Sequence, residues 1–444
     1  MRIAADMTSL SDNLSGLERY AFCIVSEMIG LGRDRWYLIV KNDVPEVIKG
    51  LKRAYPERIC LVHVSGGKLL VNQLKLPLVM SRIKADAYLF PAFPVPLLFG
   101  KALECQRTCR RRSCRKKIYA LIADTAVLDV PETMKLRSRL LFGLGYRHSV
   151  RVCESVITIS HFSEKRIRKH YKNVRNIIYA PCGVTVGNEV KHKSEISDTI
   201  CGGIFPDETV SDGIIPDGAS PEGEAGDGKA PNKTACPGKG GPVRSGTVCA
   251  HKGKKDRAEN AWIEIRKKYG LPEEYILVLS TLEPRKNIRC VFNAYAKLDS
   301  NAYVPKLAVA GRKGWMVDKE LAAVREKLSD RICLTGFIDE ADLKAVYSHA
   351  SVFVDASVYE GFGMPPLEAL SNGVRHVLVS DIPAHREVLG DDAVYFRSGD
   401  ENELAAKMAE MCRDNTERRS MPSCLKKYSW KKSAESVYAA ICGY

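Results

Sequence analysis

A chain of 444 residues has room for two domains of ordinary size, each with its own hydrophobic core. Its apolar fraction of 45% is ordinary for a globular protein, and its net charge of +15 predicts attraction to something anionic. The 15 cysteines are odd in number and scattered, which points to reduced, buried thiols of a cytosol rather than a disulfide framework. Met1–Asp6 lacks the long apolar run of a secretory signal. The most apolar stretch, Tyr88–Phe99, is too short for a bilayer and is broken by Pro91, Pro94 and Pro96, so no membrane span is expected.

Arg2–Ala5 reads as a short first strand, and Asp6–Gly16 as a polar loop. Leu17, Tyr20, Ile24 and Met28 then repeat at helical spacing. Gly16-Leu17-Glu18-Arg19-Tyr20 therefore sits at a strand–loop–helix junction, where a glycine lets a ligand approach the backbone. Trp36–Val40, Ile59–Val64 and Ala87–Phe90 read as further strands. The segment Lys101–Lys117 carries eight basic residues and one acid, Glu104. An anionic membrane attracts such residues by about 1 kcal/mol each. Cys105, Cys109 and Cys114 lie in it without zinc-finger spacing or a following pair of histidines, so no metal site is expected there. Tyr119–Ala123 is a strand with Asp124 at its carboxyl end, where ligands bind in doubly wound sheets. Ser155–Ser160 is the next strand, leading into Ser160-His161-Phe162-Ser163, with His161 in a cap region.

Gly187–Arg257 breaks the pattern. It is rich in Gly, Pro, Asp, Ser and Lys, with Phe205 its only aromatic residue, and reads as a disordered insert between two domains. Strands and helices alternate from there: Tyr275–Ser280 then Asn287–Leu298, Leu307–Ala310 then Lys319–Leu328, Ile332–Thr335 then Glu340–His349. After the strand Val352–Asp355 comes Tyr359-Glu360-Gly361-Phe362-Gly363-Met364-Pro365-Pro366-Leu367-Glu368. Gly361 and Gly363 give a tight turn, and Pro365 and Pro366 suit the first positions of a helix that ends at Asn372-Gly373. A helix N-terminus favours an anion such as a diphosphate. Glu360 on the loop and Glu368, expected in the first helical turn, would then accept hydrogen bonds from hydroxyls of a sugar and a ribose. Val377–Ser380, a helix around His385–Leu389, Val394–Phe396 and Glu403–Met411 complete a second doubly wound parallel sheet.

Three segments in this order carry a family resemblance: Ser280-Thr281-Leu282-Glu283-Pro284-Arg285-Lys286-Asn287, the Glu360–Glu368 stretch, and Ser380-Asp381-Ile382-Pro383-Ala384-His385-Arg386-Glu387-Val388. Together they resemble glycosyltransferase family 4, retaining enzymes of the GT-B fold, in which two Rossmann-like domains face a cleft. Gly16–Tyr20 and Ser160–Ser163 are similar to segments of the same family, as are Ile177–Val184 at the end of its first domain and the tail from Tyr428. Gly311-Arg312-Lys313-Gly314-Trp315 looks most like the branch that makes bacterial surface polysaccharides, often from GDP-mannose.

The resemblance implies an acceptor-side domain over 1–186, the insert over 187–258, a nucleotide-sugar domain over 259–415 and a tail, 416–444, packing back on the first domain. It implies transfer from a nucleotide-sugar donor to a lipid-linked saccharide acceptor, and the basic run Lys101–Lys117 would hold the chain peripherally at the cytoplasmic, anionic face of the membrane. Glu360 and Asp124 would be catalytic. Arg285, Lys286, Glu368, Gly361, Phe362, Gly363 and Gly16 would hold the donor. No metal or cofactor is expected, since Arg285 and Lys286 would meet the diphosphate charge. The family has His-Asp where this chain has Ala123-Asp124, so only Asp124 carries over. It also has Gly-x-Pro, and one residue fewer, where this chain has Asn372–His376. A nucleotide-sugar epimerase would need the Gly-x-Gly-x-x-Gly turn of a bound nicotinamide, which neither domain has. A nucleic-acid-binding protein would interleave its basic residues with aromatics, and this chain does not.

Overall fold

The computed structural model describes residues 1–67, 70–99, 117–184, 248–298, 304–312, 314, 326, 328–414, 416 and 421–443. Most of the basic segment, the insert up to residue 247, Lys313, Trp315 and most of the expected helix Lys319–Leu328 lie outside them.

Two parallel sheets organise the chain. The first comprises β1 (Arg2–Asp6), β2 (Arg35–Lys41), β3 (Ile59–Val64), β4 (Ala87–Phe90), β5 (Lys117–Leu121), β6 (Ser155–Thr158) and β7 (Ile177–Tyr179), in the spatial order β3-β2-β1-β4-β5-β6-β7. The second comprises β8 (Tyr275–Leu279), β9 (Lys306–Ala310), β10 (Ile332–Gly336), β11 (Val352–Asp355), β12 (His376–Ser380) and β13 (Val394–Phe396), in the order β10-β9-β8-β11-β12-β13. Both read as near-continuous apolar runs because helices cover both faces, as Ile3–Ala5, Ala87–Phe90 and Val352–Val354 show by their full burial. Strand order reverses between β1 and β4 in one sheet and between β8 and β11 in the other. At such a switch point the loops leaving the strands part and open a crevice. The loop after β1 leads to Gly16 at the start of α1, the loop after β8 carries Arg285 and Lys286, and the loop after β11 carries Glu360. The fold thus delivers the three motif loops to the two places where such a sheet can bind a ligand.

Twelve helices matter to the argument: α1 (Gly16–Leu31), α2 (Glu46–Ala54), α3 (Leu76–Arg82), α4 (Leu136–Val152), α5 (His161–His170), α6 (Val248–Tyr269), α7 (Ile288–Ala296), α8 (Glu340–Ser348), α9 (Met364–Ser371), α10 (Pro383–Leu389), α11 (Glu401–Arg413) and α12 (Trp430–Cys442). Helix α6 starts inside the segment expected to be disordered and runs on through residues 258–269, where Ala, Glu, Lys and Arg favour helix. Helices α3 and α4 escape the sequence pattern because, Leu76 apart, their leucines sit outside the buried stripe. In α4 the buried residues are Gly145, Tyr146, Ser149 and Val150, while Leu136, Leu140 and Leu144 are exposed. Lys117, counted with the basic segment, starts β5 and donates to Ile441 O at 3.3 Å. No described helix is long and apolar enough to cross a membrane.

Helix α12 packs on α1, within the layer of the first sheet. Ser433 Oγ donates to Pro181 O at 2.7 Å, Tyr119 Oη to Ala440 O at 2.9 Å, and the Tyr20 and Trp430 rings meet edge-on with centroids 5.9 Å apart. Gly183 makes this possible, since a Cβ there would lie 2.2 Å from Trp430 N.

A second set of contacts joins the two sheets' domains. Tyr359 Oη donates to Asp129 Oδ2 at 2.8 Å, and the same carboxylate takes Arg166, Thr125 and His170. Glu387 of α10 accepts from the backbone N–H groups of His161 and Phe162, both at 2.7 Å. These are orphan donors at the N-terminus of α5, where a carboxylate also meets the positive end of the helix dipole. Ser163 Oγ donates to Gly361 O at 3.3 Å.

Gly183→Ala should lower stability by about 1–3 kcal/mol, the cost of overpacking a backbone contact, read as a fall in Tm. Burial works against the Asp129 charge, but Arg166, Thr125, His170 and Tyr359 outweigh it and hold the carboxyl well below its ordinary value. A depressed carboxylate stabilises the fold fully above the unfolded value of about 3.9 and loses this as pH falls below it. Asp129→Asn should therefore cost about 1.5–3 kcal/mol at neutral pH. The gap between wild type and variant, measured by denaturant titration, should shrink as pH falls from about 4.

Candidate functional site

The site begins with a backbone device after β8. Pro284–Lys286 form a turn of 3-10 helix, and Asn287 follows in the left-handed region with φ 49°. Asn is one of the few residues that tolerate this. The turn is tied to the neighbouring loop by Val358 N donating to Arg285 O at 2.9 Å. It aims Arg285 and Lys286 at the loop after β11.

Glu360, 7% exposed, meets both cations. Arg285 Nη1 donates to Glu360 Oε2 at 2.9 Å and to Tyr359 O at 3.1 Å, while Arg285 Nη2 donates to Glu283 Oε1 at 2.6 Å. Lys286 Nζ lies 2.6 Å from Glu360 Oε1 and 3.8 Å from Asp355 Oδ2. Burial alone would neutralise Glu360, yet Arg285 and Lys286 reverse the effect and hold it ionised, well below the usual carboxylate range. Burial likewise pulls both cations down, and the carboxylates around them raise each above its ordinary value. The cluster is therefore fixed in its charged form.

Glu368 lies beyond the first turn of α9, which starts at Met364 and has no acid in that turn. The expectation of a first-turn carboxylate is thus corrected: Pro365 and Pro366 occupy the opening positions and push Glu368 one turn on. There it pairs with Arg19 of α1 and accepts from Tyr347 Oη at 3.0 Å. Arg19 also pairs with Glu340 at the start of α8. Burial raises the Glu340 carboxyl, against the pull of Arg19.

The glycines of the turn serve different needs. A Cβ on Gly361 would lie 2.9 Å from both Ala123 O and Asp124 Cβ, so its bareness lets the first domain close on the loop. Gly363 has φ 93° and lies against His385, whose Cδ2 would be 2.9 Å from a Cβ at that position. Gly16 sits across from Met364 Sδ, the nearest atom to a Cβ there at 3.9 Å. Phe362, expected among the donor contacts, is buried edge-on against Tyr428, with ring centroids 5.1 Å apart, and supports the turn from behind. Asp124 accepts from Ala126 N at 2.9 Å. Burial pushes its carboxyl up; Arg285 opposes this, while Glu360 and Glu283 add to it.

Sequence reasoning passed over Arg19, Glu340, Tyr347, Glu283 and His385. Arg19, Glu283 and His385 stood inside quoted motifs, but only the fold shows what they do. His385 is fully buried; its Nδ1 lies 2.9 Å from Ser380 O, which fixes the Nδ1–H tautomer. Its Nε2, like Ser280 Oγ at the end of β8, is buried with no hydrogen-bond partner among the described residues. Buried polar atoms are rarely left so, and His385, which lies against Gly363 of the loop that carries Glu360, would be satisfied by a polar ligand there. Among the described residues no group of three or more His, Cys, Asp and Glu side chains is arranged to hold a metal ion.

Residues 263–427 match the family described as glycosyl transferases group 1. The serotype-specific mannosyltransferase WbdA of Escherichia coli is 32% identical over 188 residues, 40% of this chain and 23% of that protein. The O-antigen chain mannosyltransferase RfbU of Salmonella typhimurium is 35% identical over 129 residues, 29% of this chain and 36% of that one. The chain thus spans well under half the length of these curated relatives. Among solved structures, Anabaena HepE in complex with UDP and glucose aligns over 100% of both chains with a TM-score of 0.60 at 13% identity. WaaG, a glycosyltransferase involved in lipopolysaccharide biosynthesis, aligns over 100% of both chains with a TM-score of 0.56 at 14% identity. Residues 263–427 therefore match a transferase family, and the chain as a whole has the two-domain GT-B fold of these solved neighbours.

Proposed function

We propose that the chain is a retaining glycosyltransferase that moves mannose from GDP-mannose onto a lipid-linked saccharide during surface polysaccharide synthesis. The observation that carries this is the buried Glu360–Arg285–Lys286 cluster, set beside the N-terminus of α9 at the switch point of the second sheet. The named mannosyltransferase relatives support the choice of sugar. No described helix crosses a membrane, which fits peripheral work at the cytoplasmic face on an acceptor anchored by its own lipid.

In this reading the diphosphate meets Arg285, Lys286 and the positive dipole end of α9, where Met364 keeps its N–H and Pro365 and Pro366 have none. Charge builds on the leaving nucleoside diphosphate as the glycosidic bond breaks, and cations already oriented by Glu283 and Glu360 stabilise it without reorganising. Glu360 turns its second role toward the hydroxyls of the donor sugar. Glu368 takes the ribose, exchanging part of its contact with Arg19. Asp124, against Gly361 on the acceptor side, meets the incoming hydroxyl. His385 Nε2, an acceptor in the Nδ1–H tautomer, takes a further donor hydroxyl. No metal is assigned a part.

Incubation with radiolabelled nucleotide sugars and a membrane extract tests the reading; label from GDP-mannose should enter the lipid fraction, and no transfer from any nucleotide sugar would overturn it. Lys286→Ala should weaken nucleoside diphosphate binding roughly 10- to 100-fold by calorimetry, the loss of one charge-assisted contact. Glu368→Ala should mainly raise the donor KM, because a ribose contact is made equally in ground and transition states. Glu360→Ala should lower kcat as well, since it lies beside the reacting centre. Full turnover of Glu360→Ala at saturating donor would remove Glu360 from the reacting centre, and an unchanged donor KM in Glu368→Ala would remove Glu368 from the ribose contact.

A further inference from the structure

We propose that α3, the loop Pro91–Phe99 and α4 form a docking face for an anionic lipid bilayer. Nine of the fifteen large apolar side chains exposed among the described residues lie in or just before these three segments, all of them leucines between 36% and 67% exposed. Leu70, Leu74 and Leu78 are four apart along the helical stretch that runs into α3. Leu136, Leu140 and Leu144 repeat the spacing on α4, and Leu97 and Leu98 stand on the loop. Residues four apart share one side of a helix, so each helix presents a leucine stripe outward.

The three segments are one surface. Leu97 N donates to Gln73 Oε1 at 3.1 Å, which ties the loop to the helical stretch before α3. Val95 N donates to Ser149 Oγ at 2.9 Å, and the Phe93 and Phe142 rings stack with centroids 6.0 Å apart, which ties it to α4. The charge is of one sign. No Asp or Glu occurs from residue 61 to 84, from 91 to 99, or from 135 to 152. Arg137, Arg139, Arg147 and Arg151 are exposed on α4.

This combination selects its partner. A second copy of the chain would bring the same positive charge against it. A protein partner would be met by the aromatic and methionine side chains that enrich protein interfaces, and the exposed apolar residues here are leucine alone. Leucines that enter the acyl boundary while arginines pair with phosphates fit a bilayer lying along both helices. The face does not depend on the basic run 101–116, which lies outside the described residues. Its loop leaves the carboxyl end of β4, at the switch point of the first sheet, so a bilayer there would present a lipid-linked acceptor to that crevice. The proposal names the surface that the acceptor reading requires and so rests on that reading for its purpose, but its test reads binding alone.

The full chain is floated with vesicles of phosphatidylcholine and phosphatidylglycerol in equal parts, and with phosphatidylcholine alone. The wild type should float with the mixture at low salt and keep part of its binding at high salt, because leucine insertion is not screened. A variant with Leu74→Ser, Leu78→Ser, Leu140→Ser and Leu144→Ser should lose about tenfold or more in partitioning with an unchanged Tm. A variant with Arg137, Arg139, Arg147 and Arg151 changed to Ser should lose the preference for the anionic mixture. Leu140→Trp adds a measurement that needs no loss of binding: the emission of the introduced indole should shift to the blue on adding the mixture. A leucine variant that floats as the wild type does, a wild type that stays unbound at low salt, or an indole emission that does not move would each overturn the proposal. Intact flotation without sugar transfer would instead count against the catalytic reading and leave the face standing.

Discussion

Everything at the site depends on one buried carboxylate held charged by two cations. An ionised Glu360 out of water is costly by itself, and it persists because Arg285 and Lys286 both reach it. Each cation in turn needs a backbone device: the left-handed Asn287 ends the turn that carries them, and the Val358–Arg285 bond holds the two loops in register. The switch point between β8 and β11 puts the two loops side by side in the first place. Ion pair, turn and sheet topology are thus one construction, in which no part has a reason to exist without the others.

The same logic governs the approach of the two domains. Asp129 gathers Arg166, His170 and Thr125 from the first and Tyr359 from the second, so the residue preceding Glu360 is anchored from across the cleft. Arg19 reaches from α1 to Glu368 and Glu340. Glu387 closes the N-terminus of α5. These are polar contacts with water as an alternative partner, whereas the cores behind each sheet are apolar and continuous. A closure built from polar contacts can open at modest cost, while the sheets beneath it stay rigid.

Much of this was legible in the sequence. Continuous apolar runs marked the strands, and Gly361, Gly363, Pro365 and Pro366 marked the strand–turn–helix that carries Glu360. What could not be read was pairing across distance. Nothing local in Gly16–Tyr20 says that Arg19 meets a carboxylate some 350 positions on. Phe362 was assigned to the donor by its place in a motif, and its edge-on contact with Tyr428 could not be read there. Glu368 was misplaced by one turn because proline tolerance does not fix where a helix begins. Helices α3 and α4 were missed for a related reason: all their leucines but Leu76 face outward, so apolar spacing does not report a buried stripe.

The docking of α12 on α1 bears on how the chain can be made. Tyr20 of α1 is covered by Trp430, and Gly183 at the end of the first domain by the backbone entering α12. The first domain emerges from the ribosome before α12 and cannot bury that flank until α12, which follows the second sheet, has been made. During synthesis it must wait with an apolar surface open, the condition that invites aggregation or a chaperone. The two domains fold in an order set by chain direction, yet the first to appear is the last to be finished.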